Sequence, residues 1–324
     1  MGSGDQWFVS LAILGAIYLG AAALRLLSHL ALLLRRPTDL RRRYGAWAVV
    51  TGPTSGIGRS VALELARRGL NLVLVARDPA KLREVSDTIS AAHAVQTKTV
   101  VLDLALVGTA QGNEALLRLR ETVEGLDVGV LVNNAGVARP CVYLHEADVE
   151  AWVQMLRVNL WALTEVTAAV LPGMVDRGRG AVVNIGSGST QALPSFPLNS
   201  IYSASKRLRY VDQFSRSLYV EYRSKGIDVQ CQAPLFVETK MTSDIAACQG
   251  LSSRLMVVLT PETYARAAVH WIGHGPVCMP NLGHRLQYCI RLVVPDHLLN
   301  VFCLRVSLHQ RALFQRPARM NGDM

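Results

Sequence analysis

Six short apolar runs, at 46–51, 70–76, 97–102, 128–132, 180–185 and 227–233, recur along the chain. Between them, at 59–68, 79–91, 113–124, 147–175 and 261–272, apolar residues return every three or four positions. A continuous apolar run is what a strand buried on both faces requires, and a return of three to four marks one face of a helix. Their regular alternation predicts an α/β fold built on a doubly wound parallel sheet. The stretch 7–34 fits neither class, being apolar throughout apart from Arg25 and His29. A bilayer core needs ~20 apolar residues in a helix. This segment satisfies that need, and a basic flank follows it at Arg35, Arg36 and Arg41–Arg43. A cleaved signal peptide would place its basic flank first, so the expectation is a transmembrane anchor, tilted or re-entrant, with the next domain cytosolic. The predicted organisation is an anchor and flank at 1–36, a basic linker at 37–45, a main domain at 46–275 and a membrane-associated helical extension at 276–324. Within that extension, Pro295 divides the apolar stretch 286–306 into two interfacial helices, which frame an entry route or pack on the domain.

The first run leads straight into Gly52-Pro53-Thr54-Ser55-Gly56-Ile57-Gly58 and then a helical pattern. Strand, glycine turn and helix together make a site for a dinucleotide pyrophosphate: the glycines let the backbone approach, and the helix N-terminus presents N–H donors. A tight turn needing glycine for itself would look the same over so short a span. The second run ends at Arg77, where an acidic residue would bind the ribose hydroxyls of NAD. With Arg59 just past the glycines, two guanidinium groups favour the 2′-phosphate of NADPH, unless both are merely solvated at helix ends. Asp78-Pro79 reads as the cap of the next helix. Asp103, closing the third run, suits an adenine amino group, a helix cap, or both. Asn133-Asn134-Ala135-Gly136, closing the fourth, would wall the cofactor site.

Tyr202 and Lys206 stand one helical turn apart, so their side chains share a face. An ammonium beside a phenol favours the phenolate, which makes the tyrosine a usable acid or base. A surface pair on an amphipathic helix is the plainer alternative. Ser187, after the fifth run, can hydrogen-bond a substrate carbonyl, and Ser189 is the second choice for that role. Asn159, inside 147–175, is a buried amide needing partners.

Net charge is +10, but residues 1–45 and 285–324 each carry six arginines against two aspartates and so hold +8 of it. Basic ends beside apolar runs suit an anionic membrane face rather than nucleic acid. The six cysteines make no C-x-x-C pair, which points to buried thiols in a reducing compartment and no metal site.

Thr51–Gly58, Asn133–Gly136 and Tyr202–Lys206, in this order and spacing, resemble the short-chain dehydrogenase/reductase family over about 45–240. Within it, 42–52, 127–136, 211–215 and 219–230 resemble membrane-bound very-long-chain 3-oxoacyl-CoA reductases of the fatty-acid elongase, plant type. Steroid 17β-dehydrogenases of the same branch look similar. The resemblance implies a Rossmann fold and NADPH-dependent reduction of a 3-oxoacyl-CoA at the endoplasmic reticulum membrane. It implies Tyr202 as general acid, Lys206 as the group that lowers its pKa and binds the nicotinamide ribose, Ser187 on the carbonyl and Asn159 in proton resupply. Cofactor contacts would come from Gly52, Thr54, Ser55, Gly56, Ile57, Gly58, Arg59, Arg77, Asp103, Asn133, Ala135, Gly136, Tyr202, Lys206, Val237 and Thr239. Partners would be membrane lipids, the condensing, dehydratase and enoyl-reductase subunits of an elongase, and a second copy in a homodimer. A hydroxysteroid dehydrogenase and a catalytically impaired membrane scaffold are the alternatives. Three departures bear on them. About two extra residues follow Lys206, Leu235 replaces a glycine in the loop over the nicotinamide, and 318–324 lacks a dilysine retrieval signal. Residues 240–260 are expected to form a substrate lid.

Overall fold

The computed structural model describes residues 3–33, 38–139, 141–188, 193–206, 208–242, 257–291 and 293–314. It divides into two compact units, Met1–Thr38 and Asp39–Met324. The first holds helix α1 (Ser3–Leu33). Its 31 residues, at ~1.5 Å each, exceed the thickness of a hydrocarbon core. Trp7, Phe8, Leu11, Leu14, Ile17, Tyr18 and Leu19 are exposed, so apolar side chains point outward all round it. Among the described residues, the helix long and apolar enough to cross a membrane is Val149–Asp176, and half of it is buried inside the second unit, as befits a core helix. The apolar part of α1, Gln6–Ala21, is shorter.

The second unit opens with a helical turn, α2 (Leu40–Arg43), where a linker was expected. Leu40 and Tyr44 lie one turn apart, and both are buried in the core while the arginines face outward. The Tyr44 hydroxyl donates to Asp228 at 2.6 Å and Arg43 donates to the same carboxylate at 2.9 Å. Burial and that carboxylate push the Tyr44 phenol well above its usual range, so it remains a donor.

The chain then alternates: β1 (Trp47–Thr51), α3 (Gly56–Arg67), β2 (Asn71–Ala76), α4 (Pro79–Ala92), β3 (Thr97–Val101), α5 (Ala110–Val123), β4 (Val128–Asn133), α6 (Val149–Asp176), β5 (Gly180–Ile185). Next come α7 (Ser200–Lys206), α8 (Leu208–Tyr222), β6 (Ile227–Gln232), α9 (Pro261–His270), β7 (Val277–Cys278), α10 (Leu282–Arg291) and α11 (Asp296–Phe314). The strands form one sheet in the order β3-β2-β1-β4-β5-β6-β7, every neighbouring pair parallel. Side chains alternate between faces. Ala48 and Val50 join Val61 and Leu65 of α3, Ile89 of α4 and Val269 of α9 on one side. Trp47 and Val49 join Leu119 of α5 and Val166 and Val170 of α6 on the other. Burial on both faces is why these strands read as unbroken apolar runs. Each fully buried Val or Leu contributes about 1.5–3 kcal/mol of transfer free energy.

Three features differ from the sequence reading. The sheet has a seventh strand, β7, whose two residues pair with Cys231 and Gln232 and are too few to show a pattern. Helix α6 is interrupted by a π turn at Arg157–Trp161. The two extra residues after Lys206 do not spoil the following helix. Helix α7 ends at Lys206, Arg207 lies outside the described residues, and α8, from Leu208, still presents buried Val211 and Ser215 to the sheet. Asp78 caps α4 as expected, accepting from Ala80 and Lys81 N–H at 3.1 Å.

Replacing Tyr44 with Phe removes a short bond to the charged Asp228 Oδ2 and leaves Arg43 as that oxygen's remaining partner. Urea unfolding of Tyr44→Phe should show a loss of about 1–3 kcal/mol, whereas Arg42→Ala, on the solvent side of the same turn, should stay within about 0.5 kcal/mol of wild type.

Candidate active site

The sheet order reverses between β1 and β4, and a crevice opens there at the carboxyl ends of the strands. Thr51 holds the two strand ends together. Its Oγ accepts from the N–H groups of Asn134 and Ala135 at 3.0 and 3.1 Å, and the Asn134 amide donates to the Thr51 and Gly52 carbonyls. A Cβ at Gly58 would overlap both Gly52 O and Asn134 Nδ2, so the first turn of α3 packs here only with glycine. Ser55, at the N-cap of α3, makes no side-chain capping bond, and the first-turn N–H groups are left for a ligand. An uncapped helix start, glycine-bared and facing a deep crevice, fits a dinucleotide pyrophosphate.

The cavity measures about 570 Å³. Gly52, Thr54, Ser55, Gly56 and Ile57 line one end together with Arg77 and Asp103. Asp103 also caps the turn that follows β3, accepting from Ala105 N–H at 3.0 Å, so the two functions considered for it are compatible. Ala135, Gly136, Val237 and Thr239 line the middle. Arg59 is half-buried and lies off the cavity wall, so Arg77 is the cation that the structure places there from the expected pair. Gly58 and Asn133 also stand behind the wall. Asn133 is buried and donates to Thr167 and to Asn184 Oδ1, both at 2.9 Å, and Asn184 passes the chain to Ser215.

Ser187, Tyr202 and Lys206 line the far end. The loop after β5 runs beside the exit of β6, with Gly186 and Gly188 N–H donating to Gln232 and Pro234 carbonyls at 2.9 and 2.6 Å. This pins Ser187, which is buried, so that its side chain hydrogen-bonds Tyr202. Ser189 lies outside the described residues. Asn159 sits in the π turn of α6, a geometry that pushes a residue out of helical register. Its Oδ1 accepts from Val137 N–H at 2.9 Å, and its Nδ2 donates to Val137 O at 3.0 Å and to Ser205 Oγ at 3.1 Å. Ser205 donates in turn to Tyr202 O at 2.9 Å, so the π turn holds the helix that carries Tyr202 and Lys206. Lys206 Nζ reaches Ile185 O at 3.4 Å. It lies 2.9 Å, and Asn159 Oδ1 3.4 Å, from where a Cβ at Gly136 would stand, so ammonium and amide are neighbours over that glycine.

Burial depresses Lys206 to about 8. Burial raises Tyr202 above its usual value, and the Ser187 hydrogen bond partly opposes this. The depression of Tyr202 expected from Lys206 is therefore not found in the protein alone, where burial of the phenol prevails over the Ser187 hydrogen bond. A phenol held protonated at neutral pH is suited to giving a proton to a carbonyl oxygen.

Cys141, Phe196, Asn199 and Gln310 also line the reaction end, and no local pattern marks the first three in the sequence. Gln310 comes from α11. Its only forewarning was the spacing of small and polar residues at 303, 307 and 310, all buried. Most of the expected lid, 243–256, lies outside the described residues. Lys240, Met241 and Thr242 line the cavity at its edge.

The profile described as short chain dehydrogenase matches residues 46–249. A very-long-chain 3-oxoacyl-CoA reductase-like protein of Arabidopsis thaliana is 46% identical over 274 residues, covering 84% of each chain. A human protein named inactive hydroxysteroid dehydrogenase-like protein 1 is 36% identical over 298 residues, covering 89% of this chain and 87% of its own. A short-chain dehydrogenase from Sphingobium yanoikuyae, solved with NADPH, superposes with a TM-score of 0.62 at 29% identity, covering 86% of this chain and 98% of its own. The chain belongs to the short-chain dehydrogenase family and is an NAD(P)-dependent oxidoreductase.

Proposed function

We propose that this protein reduces very-long-chain 3-oxoacyl-CoA to 3-hydroxyacyl-CoA with NADPH, in the fatty-acid elongation cycle. The observation that carries the chemistry is the reaction end of the crevice. There a Ser187-bonded Tyr202 and a buried Lys206 lie in the same cavity as an uncapped helix start. The identity to reductases of this name supports the substrate. The cofactor is NADPH, held by the first turn of α3, by Arg77 on the adenosine side and by Gly136, Val237 and Thr239 toward the nicotinamide. When bound, it supplies hydride to the carbonyl carbon.

The chain's own residues do the rest. Ser187 donates to the carbonyl oxygen and orients it against Tyr202. Tyr202 gives its proton to that oxygen as charge develops. The Lys206 ammonium stabilises the resulting phenolate, and Asn159, its neighbour over Gly136, connects it to proton resupply. Cys231, pushed up to about 12 by burial, stays a neutral thiol and adds no charge beside Lys206. In this reading α1 anchors the protein in the endoplasmic reticulum membrane, with the reductase domain on the cytosolic side among the other elongase enzymes. Its exposed apolar surface and the basic residues that follow it support that placement.

NADPH oxidation by the detergent-solubilised full chain, with a long-chain 3-oxoacyl-CoA and a 17-ketosteroid side by side, tests the reading. Thioester turnover is expected. Turnover of the steroid alone would transfer the assignment to a hydroxysteroid dehydrogenase, and NADPH binding with neither turnover to a scaffold. Tyr202→Phe should lower kcat by roughly 10²–10⁴-fold with NADPH affinity retained. Arg77→Glu should raise the KM for NADPH about tenfold or more relative to NADH.

The pH profile follows from Lys206. Its ammonium is fully present below about 8 and is lost above it, while Tyr202 stays protonated through that range. For reduction, kcat/KM should be flat near neutrality and fall by about tenfold per pH unit above the Lys206 value. In Lys206→Arg, whose charge persists, that fall should vanish from whatever rate remains. A wild-type profile flat to pH 10 would remove Lys206 from the mechanism.

A further inference from the structure

Helix α11 supplies a wall of the reaction end. Its inward face is the stripe Cys303, Ser307 and Gln310, spaced at four and three residues, and the exposed Asn300 stands one turn before it. Ser195 donates to Asn300 Oδ1 at 2.6 Å, and Cys303 and Ser307 are buried. Directly after Gln310, Arg311 forms a two-pronged ion pair with Glu146 and stacks over the Tyr143 ring at 4.5 Å. The helix is thereby fixed against 141–146 and 195–199, the segment that leads into α7 and Tyr202.

Gln310 closes this contact. It is 4% exposed and lines the same cavity as Tyr202 and Ser187. Its Oε1 accepts from the Cys141 thiol at 3.0 Å, and Asn199 Nδ2 donates to the same sulfur at 2.8 Å. Asn199 stands three residues before Tyr202 and accepts from Ser203 N–H at 2.8 Å, at the head of α7. This chain of bonds orients the glutamine. Its oxygen is used by Cys141, whereas its amide nitrogen makes no hydrogen bond among the described residues. That nitrogen is not sealed inside the protein and opens onto the cavity that Gln310 lines. An N–H donor left over on a cavity wall is matched by an acceptor on whatever fills the cavity.

We propose that Gln310 is a specificity-determining residue that donates to a second carbonyl of the substrate, the thioester carbonyl two carbons from the one reduced. The inference rests on the reading of the site as a 3-oxoacyl thioester reductase. Ser187 and Tyr202 take the ketone, and Gln310 on the facing helix takes the thioester oxygen. A simple ketone or a steroid, offering one carbonyl, leaves that donor unmatched. Substrate choice is then made by the pattern of two oxygens and not by chain apolarity alone.

The test is the ratio of kcat/KM for a long-chain 3-oxoacyl-CoA to kcat/KM for a methyl ketone of the same chain length. It is measured on the solubilised full chain, with NADPH affinity as a check on folding. In Gln310→Met the ratio should fall about 10–100-fold, the worth of one hydrogen bond to an otherwise unmatched group. Should that variant not fold, Gln310→Asn, which withdraws the donor by one methylene, should move the ratio in the same direction. An unchanged ratio, with both substrates losing equally or neither losing, would overturn the role of Gln310 and leave the reductase reading intact. Wild type that reduces the ketone but not the thioester would overturn both.

Discussion

The close approach of two strand ends organises this molecule. Thr51, ending β1, accepts from the backbone that leaves β4, and Asn134 returns two bonds to the β1 turn. The clamp sits where the sheet order reverses. The walls of the crevice are placed from it: the uncapped first turn of α3, the absent Cβ of Gly58, and Gly136 laid against Lys206 and Asn159. Thr51 is buried, and a hydrogen bond to its hydroxyl is costly to leave unmade there.

Most of this was legible in the sequence, for a physical reason. Strands covered by helices on both faces must be apolar at every position, so β1, β2, β4 and β5 announce themselves. A glycine turn between strand and helix is a short local feature that can be read without knowing any distant partner. The Tyr202–Lys206 spacing survives translation into structure because a single helical turn is a local constraint. What stayed hidden depends on distant partners. Strand β7 exists because β6 offers an open edge, and its two residues carry no pattern of their own. The turn at 40–44 looked like a charged linker, since its two buried residues, Leu40 and Tyr44, are outnumbered by arginines. The acid that fixes it, Asp228, lies far along the chain.

The electrostatics of the reaction end were only half legible. Proximity of Tyr202 and Lys206 suggested a lowered phenol, but proximity competes with desolvation, and burial cannot be read from four residues of spacing. In the folded protein both groups are pushed toward their neutral forms. The π turn is a further example. Asn159 reads as one more polar residue in a long helix, yet the widened turn lets it bond Val137 on one side and Ser205 on the other. It thereby couples the wall of the crevice to the helix that carries Tyr202.

The cofactor end and the reaction end are also built at different times. Every residue of the clamp, the glycine turn and the strands through β6 precedes residue 233, whereas Gln310 belongs to a helix that follows the whole sheet. As the chain leaves the ribosome, the sheet and its dinucleotide crevice have their full complement of residues while α11 is still unmade. A nascent chain would therefore acquire a fold, and a pocket for the reductant, before it acquired the wall that faces the substrate. Through that interval the dinucleotide half stands without the wall that Gln310 supplies, and the last helix to be made is the one that adds it.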